Sequence, residues 1–402
     1  MLRTLPLVFV LAGVVLYAVL AGADFGAGIW QLLSGPGARG ERVREHAHES
    51  MGPVWEANHV WLIFVLTVTW TAYPVFFASI ATTLSVPLFI AGLGIILRGA
   101  SYALRSGAAD GRETLLVDGA FSIASLVTPF ALGCMAGALA AERVPVGNAA
   151  GHQFSSWLSP VPLTVGALTV GFSVYMAAIF LAADAHRTDD RELADSFRIR
   201  ALVAGVAAGA VAIVALVVVH DDAHSLYAGL VHGGALATML ASVVAGVITL
   251  GLVWVRRFEP ARVTGAIAVA AVIAAWALAR KPVLLPRLTI DQAAASHDTL
   301  VTVIVAVLAG GVLLFPSLAL LFTITLRGRP ATTSASGGGT GGFPLRETTA
   351  APRLAAVLFI VGLGMLNAAN AGWCHIIGVI ALLGFIVAGF AAVVPRALTG
   401  DP

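Results

Sequence analysis

The sequence predicts an all-α integral membrane protein: nine transmembrane helices in a four-helix-bundle-like arrangement, followed by a C-terminal apolar hairpin. Three observations predict it. Of 402 residues, 59% are hydrophobic and only 11% are charged. A soluble domain carries roughly 25% charged residues, so this chain lacks the charge to cover a water-facing surface. Mean hydropathy is +0.93. The apolar runs are about 18–30 residues long, enough to cross a bilayer as helices and without the ten-residue alternation of a membrane barrel.

The spanning helices are expected at 5–33, 53–72, 76–104, 115–141, 160–183, 200–219, 226–255, 262–280 and 299–326. The first run is too long for a signal-peptide core and has no small-residue cleavage site before Asp24, so it is taken as a span. The nine spans make a membrane domain over 1–327. Residues 328–353 contain "SASGGGTGG", the composition of a flexible linker. Residues 354–402 add a further apolar segment, interrupted by "NAANAG" (Asn367–Gly372). Two short helices are expected there, with one long helix as the competing arrangement.

Arginine placement orients the spans. With the N-terminus outside, the inner loops hold Arg39, Arg42 and Arg44, then Arg98, Arg105 and Arg112, then Arg187, Arg191, Arg198 and Arg200. The outer loops hold only Arg3, Arg143, Arg280, Lys281 and Arg287. The N-terminus is therefore expected on the periplasmic or exterior side. Net charge is +2, which gives no reason to expect nucleic acid as a partner. Cys134 and Cys374 lie alone in apolar runs and form neither a disulfide framework nor a c-type haem site.

The polar residues inside apolar runs are the candidates for chemistry. Asp24 is the most costly, because an aspartate at a helix centre opposes insertion by ~2.5–3.5 kcal/mol. Gly22, Gly26 and Gly28 around it allow a neighbouring helix to approach. It reads as a proton relay or ion-pair partner, or else as a neutral acid bonding helices together. Glu56, Asn58 and His59 open the second span, with Glu56 and His59 three apart on one face. A carboxylate beside an imidazole can pass a proton at neutral pH. Equally, an acid in a first turn can serve the helix dipole, and Trp55 and Trp61 can anchor at the interface. Local physics leaves these open.

Asp118 reads first as a cap of the fourth span. Arg98 and Arg105 end the third span, snorkelling or pairing with Glu56 or Asp118. "HDDAH" (His220–His224), His46 and His48 read as solvated loop residues. His59, His232 and His375 are the histidines in or at the mouths of apolar runs, and none has a matched axial partner for haem.

"GADFGAGIW" followed by "GPVWEANHVWLIF" resembles subunit II of the cytochrome bd quinol oxidases. The match at the second helix is Gly52, Pro53, Trp55, Glu56, Asn58, Val60, Trp61 and Leu62. Arg98, "VDGAF…TPFALGCMAGAL", "WLSPVPLTVG" and "PRLTIDQAAASHDTL" support it, and the resemblance covers about 5–327. It implies a subunit of a quinol oxidase, not catalytic alone. Its partner, subunit I, would hold two haems b, haem d and the quinol site. Quinol would be oxidised on the exterior side, and oxygen reduced to water with cytoplasmic protons. This subunit would stabilise subunit I and line a proton route through Glu56, Asp24, His59 and Asn58, with Trp55, Trp61, Arg98 and Asp118 structural. The resemblance further implies the bacterial cytoplasmic membrane, surrounding lipid, a candidate structural quinone and a small single-helix accessory subunit. No cofactor or metal is expected on this chain itself.

Three departures stand out. Family members carry a first carboxylate where this chain has Ala21, many carry glutamine where it has His59, and residues 328–402 are additional. A secondary transporter is the alternative function, although paired interrupted helices in the two halves are not evident.

Overall fold

The computed structural model describes residues 2–105, 111–148, 150–326, 350–368 and 372–393. The chain separates into two compact units, Met1–Arg329 and Pro330–Pro402. The first contains α1 (Leu5–Leu32), α2 (Ala38–Ala72), α3 (Pro74–Thr83), α4 (Ser85–Arg105), α5 (Gly111–Ala140), α6 (Pro160–Arg187) and α7 (Arg191–Asp222). It continues with α8 (His224–Leu230), α9 (Gly233–Trp254), α10 (Phe258–Arg280), a short antiparallel pair β1 (Val283–Leu285) and β2 (Leu288–Thr289), α11 (Ile290–Ala293) and α12 (His297–Leu326). The second contains α13 (Ala350–Ala368) and α14 (Gly372–Val393).

Seven of the described helices are long and apolar enough to cross a membrane, or eight if the bent pair α2–α3 counts as one crossing. The sequence predicts nine, and the differences have local causes. The apolar part of α2 and the helix α3 meet at a 120° bend. The bend falls at Tyr73, immediately before Pro74, where proline's ring disfavours helical backbone in the preceding residue. The expected third span is instead two helices, α3 and α4, separated at Leu84. The expected seventh span is likewise α8 and α9, parted at His232–Gly233, where Gly233 has φ of +55°.

Residues expected as a cytoplasmic loop are mostly helix, because α2 begins at Ala38. Val43, Ala47, Met51 and Val54 recur at helical spacing and are all buried. This stripe packs with the Ala177–Ala185 stretch of α6 and with Leu193, Phe197 and Ala201 of α7. Its opposite face is polar, so the helix is amphipathic rather than absent.

Helix α1 is the hub, lying against α2, α5 and α6. Its glycines make this possible. A Cβ on Gly26 would lie 1.9 Å from the Ser173 carbonyl oxygen of α6, and one on Gly28 would lie 2.1 Å from Ser125 Oγ of α5. Small residues let helix backbones approach closely where both solvent and interior are apolar. In the second unit α13 and α14 pair, with Gly362 against Leu382 and Gly384 against Leu358.

Candidate functional site

The approach of α1 to α5 and α6 encloses a polar cluster. Asp24 (1% exposed), Asn58 (1%) and Arg98 (1%) come from α1, α2 and α4, and all three are buried. Asp24 Oδ1 lies 2.5 Å from Arg98 Nη2. Asn58 Nδ2 donates to the other carboxylate oxygen at 3.0 Å. Arg98 Nη1 donates to Ser125 Oγ of α5 at 3.0 Å, and the Ser125 hydroxyl donates to the Phe121 carbonyl at 2.6 Å.

Aromatic rings complete the enclosure. The Arg98 guanidinium carbon lies 4.6 Å from the centroid of Phe25 and 4.5 Å from that of Phe121. A desolvated guanidinium gains about 2 kcal/mol or more from such a face. Burial of two ions is otherwise costly, and only good geometry with additional hydrogen bonds offsets it. Here each ion has them. His59, half-buried on α2, lies in electrostatic range of Asp24, and Tyr17 is in range of both Asp24 and Arg98.

Several sequence expectations change at this point. Arg98 does not snorkel, because it is enclosed on every side. Asp24 is a partner that the described geometry gives it. Asp118 is no cap, since α5 begins at Gly111, about two turns earlier. It shares a helix stripe with Phe121 and Ser125, pointing along the Arg98 side of α5. Trp61 is buried and meets Phe64 edge-on, with ring centroids 6.0 Å apart, so it is a packing residue and not an exposed interfacial anchor. His46 is no solvated loop residue: it lies in α2, within 3.0 Å of the Leu181 carbonyl and beside the Phe197 ring. The Glu56, Trp55 and His375 side chains lie outside the described residues. Ser125, Phe25, Phe121 and Tyr17 were not singled out from sequence. The spacing of Phe121 and Ser125 behind Asp118 was the available signal.

The "HDDAH" stretch joins α7 to α8. Asp222 pairs with Arg143 at 2.7 Å, and His220 meets Asp221 at 2.8 Å. Among the described residues no group of three or more His, Cys, Asp or Glu is arranged to hold a metal. His232 is exposed with Nδ1 against the Ala228 carbonyl.

Comparison with known proteins decides the family. The model for cytochrome bd terminal oxidase subunit II matches residues 2–325. The chain belongs to the cytochrome bd terminal oxidase subunit II family. It is similar to cytochrome bd ubiquinol oxidase subunit 2 of Bacillus subtilis, 28% identical over 116 residues, which is 29% of this chain and 33% of that protein. It is similar to cytochrome bd-I ubiquinol oxidase subunit 2 of Escherichia coli K12, 27% identical over 186 residues, which is 43% of this chain and 47% of that protein. The chain thus spans less than half the length of these curated relatives. A chain in the bd oxidase structure from Geobacillus thermodenitrificans shares the fold, with a TM-score of 0.62 and 23% identity over 82% of this chain and 99% of that one. As a family member with many apolar helices, this subunit II chain is a multi-pass bacterial membrane protein of a respiratory oxidase family. The oxidase is haem-bearing as a whole.

Proposed function

We propose that this chain is the subunit II of a quinol:oxygen oxidoreductase, stabilising a haem-bearing subunit I and lining a proton-uptake route from the cytoplasm. The observation that carries the reading is the bond from Asn58 to Asp24, backed by Arg98. It ties the family's second-helix motif to the first-helix carboxylate inside a dry, enclosed site. Family membership supports the overall activity, and the geometry supports the route.

Within the route, Asp24 and Arg98 form a neutral pair that holds α1, α2, α4 and α5 in register. Glu56 and His59 are the groups that exchange protons, Glu56 because it lies where the polar part of α2 gives way to its apolar part and His59 because an imidazole can both accept and donate a proton. Asn58 fixes the Asp24 carboxylate and so the local charge that His59 meets. The haems of subunit I, two b and one d, supply the redox chemistry when bound. Quinol and oxygen react there and not on this chain.

Nine crossings follow if the seven long helices are joined by the apolar part of α2 and by α4. The arginine-rich ends face the cytoplasm, with the N-terminus outside. Residues 1–327 act as the subunit II body, 328–353 as a linker, and 354–402 as an appended helical pair in the place of a small accessory subunit. A structural quinone remains a candidate ligand of the assembled complex.

The test is purification of the chain from its host membrane. A haem-bearing partner should co-purify, with b and d bands in a reduced-minus-oxidised spectrum and quinol-driven oxygen consumption. Recovery of the intact chain without a haem protein, together with solute transport in vesicles, would establish the transporter alternative instead.

A further inference from the structure

The junction of α7 and α8 carries a pair of imidazoles that the proton route does not use. His220 lies in the last turn of α7 and His224 opens α8, with Ala223 between the helices at φ −138° and ψ 59°. Both histidines are exposed, and their ring centroids are 5.2 Å apart. Beneath them the junction is anchored. Val219, Ala223 and Leu226 are buried in one cluster with Val161 of α6.

Each ring is held in one tautomer. His220 Nδ1 lies 2.8 Å from Asp221 Oδ1, and His224 Nδ1 lies 2.8 Å from the His220 carbonyl oxygen. A carboxylate and a carbonyl only accept, so each Nδ1 carries the hydrogen. In a neutral imidazole that leaves the lone pair on Nε2, in both rings. Neither Nε2 has a hydrogen-bond or ion-pair partner among the described residues.

A metal-binding imidazole is built this way. One ring nitrogen donates to a carboxylate or a backbone carbonyl, which orients the ring, and the other presents its lone pair to the ion. The spacing fits as well. An Nε2–metal bond of about 2.0–2.1 Å puts the ion about 3 Å from each ring centroid, and two such rings at a tetrahedral angle have centroids about 5 Å apart. Tyr227 further restrains His220, meeting it edge-on with centroids 4.7 Å apart.

The surrounding charges suit a cation. Asp221 is exposed and places a negative charge beside the pair. Arg143, which reaches the junction, is paired with Asp222 at 2.7 Å, and Arg280 is paired with Glu142. Imidazole nitrogens favour zinc, copper and nickel over magnesium or calcium. Two protein ligands leave coordination positions to water, so a metal held here exchanges freely.

We propose that His220 and His224 chelate one divalent transition-metal ion of the zinc class through their Nε2 atoms, with Asp221 orienting His220 and water completing the shell. The bound ion bridges α7 to α8 across the break at Ala223. The site is independent of the proton route, so either can fail alone.

The test uses the whole complex, purified without a histidine tag, stripped with EDTA and titrated with Zn2+ by calorimetry, with the melting temperature read in parallel. Wild type should take up one more equivalent of zinc than the double variant His220→Ala/His224→Ala, and zinc should raise its melting temperature by more. Asp221→Asn keeps both rings but loses the orienting carboxylate, and should weaken binding at this site by about tenfold or more. Either single histidine variant should bind more weakly still. Both ligands are exposed, so their loss removes no buried packing. His232→Ala is the control. That histidine is exposed too, with its Nδ1 on the Ala228 carbonyl, and its loss should leave the extra equivalent in place. Equal zinc stoichiometry and affinity in wild type and the double variant would overturn the site, as would an equal loss in His232→Ala.

Discussion

Asp24 on α1 and Arg98 on α4 are ion-paired at 2.5 Å, seventy-four positions apart in sequence and both closed off from solvent. Neither charge has water to fall back on. Each therefore depends on the other, and on Asn58, Ser125 and two aromatic rings.

Removing one partner should cost more than removing both. Asp24→Leu or Arg98→Leu alone leaves an uncompensated buried charge, at about 3–5 kcal/mol. The double variant should be less destabilised than either single one, because the remaining site is apolar. Asp24→Asn keeps a hydrogen-bond acceptor for Arg98 and should fall between wild type and Asp24→Leu. Thermal unfolding of the purified complex reads all four. Simple additivity of the single losses would show that the pair is not coupled.

Gly26 sets how closely α1 can approach α6. Gly26→Ala places a methyl on the Ser173 carbonyl oxygen, where backbone must shift, at about 1–3 kcal/mol. Gly92→Ala in α4 is the control, since a Cβ there meets nothing within 4 Å. The first substitution should lower the melting temperature and the second should not. Equal behaviour would mean that the α1–α6 contact is looser than described.

The turn after α5 contains a pH-dependent tie. Glu142, in the turn after α5, accepts from Arg280 of α10 and from Ser225 of α8. The hydrogen bond from Arg280 is the chief cause holding its carboxyl below the usual range. A depressed folded-state value means stability that is present at neutral pH and lost as pH falls through the folded value. Glu142→Gln should therefore melt earlier than wild type at pH 7, by a small margin because the side chain is partly exposed. The difference should close below roughly pH 4. A gap that persists under acid would show that the role of Glu142 is packing and not charge.

The sequence made the membrane class plain, because a chain with 11% charged residues has few other options. Asp24 and its flanking glycines were also legible, since a carboxylate amid small residues in an apolar run signals close helix packing. The partner was not. Arg98 stands at the end of its apolar run, where snorkelling is the ordinary outcome, and only the fold carries α4 back against α1. The missed first half of α2 has a different cause. Its polar face hid the Val43, Ala47, Met51 and Val54 stripe from a reading based on uninterrupted apolar length. The proline after Tyr73 marks the gap between the second and third expected spans, whereas the parting of α3 from α4 at Leu84 has no such signal.

The proton-exchange role proposed for Glu56 is tested on the assembled complex. The direct measurement is quinol-driven oxygen consumption by the purified complex carrying Glu56→Gln, with its haem spectrum recorded alongside. Loss of a positioned proton-transfer group predicts turnover reduced by about a hundredfold or more, with the b and d bands intact. Unchanged turnover in a fully assembled, haem-replete complex would show that Glu56 carries no proton needed for oxygen reduction.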